Sequence, residues 1–312
     1  MGKIMASLRR RVTFGARLAG KRIGNVSNPT AGKGRVTVFS RLSGALFRAI
    51  LVAVVICIPA LILPDTSSDT AQIVALMALF GFALTLFEYA SVYPGLIEFR
   101  DAPPFNRIRF MSLFLTVGLL SLAVQSQYHA STLTRLIEVL GTTVASSIDV
   151  PYSPVRLLQL ALPADASLHQ VALVRTAAGM AYLISLLTLG YFVIVMRIMG
   201  WPQAHTKFNV WVNLPTFDPT AGGDVVERLR RDAWFNIALG FLLPFLIPAV
   251  LKLVSVSFVI VTLEVPHTMI WMVTAWAFLP ASLFMRGIAL ARVAQMIENK
   301  RLASGASDYL PA

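Results

Sequence analysis

The ionisable residue furthest from its ordinary solvent is Glu88, in Phe87-Glu88-Tyr89, well inside an apolar run. A charge at bilayer depth costs about 2.5–3.5 kcal/mol even on insertion scales, so Glu88 calls for a cation. Arg109 opens the next apolar run at similar depth and is the expected partner, with Arg286 in reserve. A proton- or cation-binding role is the functional alternative. Lys252, toward the far end of another run, can snorkel or meet a substrate or lipid headgroup. Asn236 can hydrogen-bond across helices.

No other residue set has the spacing that chemistry needs. His129, His169, His205 and His267 lie in separate loops, none within an HExxH motif, and read as polar loop residues. Ala31-Gly32-Lys33-Gly34 resembles a phosphate loop, but Ser27 stands where the first glycine is needed and Gly34 where Ser or Thr is needed. No Gly-x-Ser-x-Gly occurs. The one cysteine, Cys57, excludes an internal disulfide and a thiolate metal site. No catalytic residue, cofactor or metal is expected, and the sequence points away from an enzyme.

Composition decides the physical class. Hydrophobic residues make up 56% and charged residues only 13% of 312, with a mean hydropathy of +0.71. Soluble domains carry about 25% charged residues. The expected fold is an all-α integral membrane protein, a bundle of six transmembrane helices over residues 45–300. The spans fall at about 45–63, 71–93, 108–125, 171–196, 233–251 and 268–289. Residues 253–263 could extend the fifth helix or fold back. Pro244 and Pro248 should bend that helix.

The third loop carries two surface amphipathic helices. Leu133, Leu136, Ile137, Leu140 and Val144 share one face, and Ser153-Pro154 opens a second, short helix. Both should lie on the outer leaflet or cover the bundle. In the fourth connection, Asp224 and Glu227 have capping-box spacing, so a helix should start there and continue into the membrane. Ala177 and Ala181, and Gly287 and Ala291, permit close helix contact.

Charge sets orientation. All of the 27 lysines and arginines except Arg135, Arg156, Arg175 and Lys252 fall on the side of the two termini. The positive-inside rule then places both termini in the cytoplasm. A bacterial cytoplasmic (inner) membrane is expected, with an organelle inner membrane as the lesser alternative. Residues 1–44 form a basic, partly disordered cytoplasmic tail without one acid; residues 301–312 form a frayed cytoplasmic end. Arg9, Arg10, Arg11, Arg17, Lys21 and Arg22 suit anionic lipid headgroups rather than nucleic acid.

Loop 200–224 spends four large aromatics, Trp201, Phe208, Trp211 and Phe217. A disordered linker would not. They form either an aromatic belt at the lipid interface, the favoured reading, or an ordered surface where a protein partner docks. The function expected is that of a non-catalytic subunit, scaffold or assembly factor of a membrane complex. A transporter or channel for a small solute or ion is the alternative, and an intramembrane enzyme comes last.

Overall fold

The computed structural model describes residues 30–64, 66–163, 165–201, 210–218, 220, 222–257, 263 and 265–307. Side chains are described from residue 41 on, except at 210–211, 255–257 and 306–307. The chain divides at Ser43 and Gly44. Residues 30–43 are helical, and the unit from Gly44 on holds the bundle. The six headgroup candidates between Arg9 and Arg22 lie outside the described residues, as do Phe208 and the side chain of Trp211.

The element order is all-helical: α1 Thr30–Ile62, α2 Ser68–Ala90, α3 Phe105–Gln125, α4 Thr132–Ile148, α5 Pro154–Leu160, α6 Leu168–Ile198, α7 Val210–Asn213, α8 Val225–Ser257 and α9 Pro266–Ser307. Six of these, α1, α2, α3, α6, α8 and α9, are long and apolar enough to cross a membrane. Starts are set by capping chemistry. Ser67, Ser131, Ser153 and Ser167 each accept a hydrogen bond from the backbone N–H three residues on. Asp224 caps α8, whose 33 residues run unbroken through Pro244 and Pro248. Leu253 to Ser257 therefore extend the fifth helix rather than fold back. Residues 258–262 lie outside the description.

Proline inside α8 creates a link to α9. Pro248 has no N–H, so the carbonyl of Pro244 lacks its helical partner. The indole Nε1 of Trp276 donates to that carbonyl at 3.0 Å. Glycine allows the same helices to close. A Cβ on Gly287 would lie 2.8 Å from the Ala233 carbonyl, and one on Gly240 2.9 Å from the Pro280 carbonyl. Ala177 and Ala181 are buried as expected, whereas Ala291 faces outward.

The α4 helix covers the bundle, but on a different face from the one its apolar pattern suggests. Thr134, Ile137, Gly141 and Ala145 are buried, while Leu133, Leu136 and Leu140 are exposed. Ala145 meets Gly179 of α6 so closely that a Cβ on Gly179 would lie 2.6 Å from its Cα. In lipid the large apolar side chains gain nothing by leaving the solvent, so small residues take the helix contact.

Two apolar cores stack along the bundle. One gathers Val55, Leu120, Val174, Ile270 and Trp276; the other gathers Phe99, Phe105, Phe192, Trp201, Phe217 and Leu229. Helix α2 contributes almost nothing to either. Only Ala78 and Glu88 of its 23 residues are buried.

Candidate functional site

The second core sits where the α2–α3 and α6–α8 connections meet α9. Glu88 anchors this end. Its carboxylate accepts hydrogen bonds from the backbone N–H groups of Gly95, Leu96 and Ile97 at 2.9–3.2 Å. Three successive amides folded around a carboxylate form a nest that satisfies the charge without a cation. Arg100 closes the same turn from the other side. It donates to the carbonyls of Glu88, Ser91 and Val92, the open end of α2. The ion pair expected between Glu88 and Arg109 or Arg286 is not formed. The backbone is nearer, and it supplies donors at no cost in side-chain entropy.

The chain then presses against the α6–α8 connection. Phe99 takes φ 53°, a left-handed conformation unusual outside glycine. Its N–H donates to the Asn213 carbonyl at 2.7 Å, and the Asp101 N–H donates to Asn213 Oδ1 at 3.1 Å. The Phe99 ring packs 4.5 Å from Phe105 and 5.6 Å from Trp201. Trp201 and Phe217 are therefore interior residues, with no free face for an interfacial belt or a docking partner.

Arg286 pairs with Glu98 rather than Glu88. Two parallel bonds, at 2.6 and 2.8 Å, join them, and Thr216 donates to the same carboxylate at 2.8 Å. Arg109 lies beside this pair and shares none of it. Its guanidinium stacks on Phe105 and Phe278 at 5.5 and 5.9 Å, and its Nε is buried without a hydrogen-bond partner.

The other candidates have local roles. Asn236 donates to the Asp232 carbonyl of its own helix, so it does not cross between helices. Lys252 donates to the Leu162 carbonyl at 2.8 Å and ties α8 to the turn after α5. Outside the spans, the Arg301 guanidinium holds the Asp224 carboxyl below the usual range. His169 meets Gln127 and His267 meets Thr66, and among the described residues no three His, Cys, Asp or Glu side chains gather as a metal site.

Against Arg109 lies a cleft in two joined parts, of about 880 and 430 Å³, which share Val52, Thr85, Tyr89, Asn106 and Phe110. Helices α1, α2 and α3 form its walls. Five arginines line it: Arg48, Arg100, Arg107, Arg109 and Arg286. Arg100 bonds Asp101 and Arg286 bonds Glu98. Arg48 stacks 4.8 Å from the Tyr89 ring and bonds its own helix. Among the described residues Arg48, Arg107 and Arg109 form no ion pair, and the cleft carries net positive charge.

Sequence reasoning missed Glu98, Arg100, Asn213 and Tyr89. Glu98 and Arg100 read as ordinary loop charges. The available signal was their place between two spans in a loop too short to reach far into solvent. No family model matches the chain, and neither does any curated protein or solved structure compared with it.

Proposed function

We propose that this polytopic membrane protein is a non-catalytic subunit, scaffold or assembly factor of a membrane complex, with both termini cytoplasmic in a bacterial inner membrane. One observation supports the reading: among the described residues, the buried interior of the spanning helices is apolar and nearly uncharged. Trp276, Leu120, Phe192 and Ile270 are completely buried there. Most of the buried polar groups there are hydroxyls that find a partner in their own or a neighbouring helix. Thr116 and Ser121 donate to carbonyls four residues back, Ser185 donates to Ala277, and Thr188 to Ser112. A solute path needs polar or charged groups through the midplane.

Transport is the second reading. It is favoured by the prolines within α8 and α9 and by the buried hydroxyls of Thr274 and Ser282, which have no partner. The test is gentle detergent extraction from native membrane, followed by native mass measurement and reconstitution. The subunit reading expects a stoichiometric hetero-complex that survives moderate salt, and no solute flux through the isolated chain. A lone chain that conducts or exchanges solute in vesicles contradicts it.

A further inference from the structure

We propose that the cleft between α1, α2 and α3 is a binding site for the phosphate headgroup of an anionic membrane phospholipid, with Arg109 as its central ligand. The reasoning begins with what Arg109 lacks. A guanidinium stays protonated at any pH the protein meets, so burial cannot discharge it. A buried charge left unpaired is costly, and structures satisfy it with an opposite charge or hydrogen-bond acceptors. Here the Nε has neither partner nor solvent access. The one carboxylate beside it, Glu98, is taken by both bonds from Arg286 and by Thr216. Among the described residues no other acid pairs with it, and its side chain lines the smaller part of the cleft, where an anion from outside can meet the rest of the guanidinium.

The surroundings specify that anion. Arg107 and Arg48 line the larger part of the cleft and make no ion pair among the described residues, and Arg109 lines the smaller part joined to it, so an anion entering the cleft meets positive charge in both parts. Arginine forks suit phosphate oxygens, and Asn106, whose Nδ2 donates one hydrogen to the Glu98 carbonyl at 2.7 Å, borders both cavities with a second N–H to spare. The walls specify what the phosphate is attached to. Phe47, Leu51 and Met111 border the cleft, and Phe47 and Met111 are uncovered by protein. In a membrane helix such faces meet acyl chains. The volume of about 880 Å³ falls within the range of sites for small ligands. A basic pocket between spanning helices, open to the bilayer and floored by apolar side chains, fits a phospholipid better than a free ion.

The test uses the full-length protein in zwitterionic nanodiscs, with a phospholipid carrying one net negative charge titrated in as the probe. Retained lipid is read by native mass measurement and stabilisation by thermal melting. The wild type should retain the anionic lipid and melt higher with it. Arg109→Gln should bind it at least tenfold more weakly, the usual scale for losing a charged hydrogen bond. Arg109→Lys, which keeps the charge and loses the fork, should fall between. The double change Arg48→Gln with Arg107→Gln, at exposed positions outside the apolar cores, should also weaken binding if Arg109→Gln fails to fold. Inorganic phosphate that stabilises the protein as well as the lipid does would overturn the lipid assignment. Equal lipid retention by wild type, Arg109→Gln and the double variant would overturn the site. None of these readouts depends on a protein partner, so the subunit reading can fail while this one stands.

Discussion

Glu98 governs the electrostatics at one end of the bundle. It neutralises Arg286 through two bonds, takes a third from Thr216, and leaves Arg109 to its aromatic neighbours. Glu98→Gln keeps the shape and removes the charge, so Arg286 would share the cleft with Arg109 uncompensated. Breaking a fully buried pair costs about 3–5 kcal/mol. Arg286 retains 30% exposure of its side chain, so screening lowers the expected loss to about 2 kcal/mol. A thermal melt unchanged by Glu98→Gln would show that the pair contributes nothing. Trp276 makes a second prediction. In Trp276→Phe the ring remains but the Pro244 carbonyl, already missing its helical donor, loses its last partner. The expected cost is about 1–3 kcal/mol, from an unsatisfied buried acceptor together with lost volume. Trp276→Phe at wild-type stability would show that Pro244 is satisfied elsewhere.

At the scale of elements, the bundle is held by close crossings rather than by large side chains. Gly287 lies against Ala233 and Ile237, and a Cβ there would approach a backbone carbonyl to 2.8 Å. Gly287→Ala should therefore push α8 from α9 and destabilise by about 1–3 kcal/mol, despite alanine's better helix propensity. An unchanged or raised melting temperature would mean the helices can slide apart freely. Span positions, helix starts at Ser153 and Asp224, and the run of α8 from Asp224 into the membrane were legible, because length, apolar run and capping residues are local properties; whether residues 253–263 continued that helix was not. Helix faces were less legible. The apolar repeat put Leu133, Leu136, Ile137, Leu140 and Val144 on one face of α4 but did not say what that face meets; Ile137 is buried, and Leu133, Leu136 and Leu140 are exposed. In a bilayer the apolar moment no longer tells core from solvent, and small residues such as Gly141 and Ala145 carry the information instead. The partners of Glu88 and Arg286 were not legible, because backbone amides and a loop carboxylate across the fold leave no periodic trace.

For the whole molecule, orientation rests on charge. All but four of its 27 lysines and arginines gather on the side of the termini. Reporter fusions after Thr66 and near residue 150 should read outside, and fusions after Arg100, Gly222 and Arg301 inside. The reverse pattern would place the arginine cleft on the outer face and remove the reason to expect cytoplasmic partners. The exposed apolar side chains along α2, among them Ile73, Leu76, Phe80 and Phe87, form a surface that another membrane helix could share with lipid.

The central claim, that the bundle is sealed through its middle, can be tested with the chain's single cysteine removed. In a Cys57→Ala background, cysteines placed one at a time at Thr116, Ser121, Ser185 and Ser282 probe the interior, and one at Asn106 probes the cleft. Intact and inverted vesicles are treated with a small, charged, membrane-impermeant thiol reagent. The account predicts labelling at Asn106 from one side only and none at the four interior positions. Labelling of two or more interior positions, from either side, would reveal a water-filled path and contradict it.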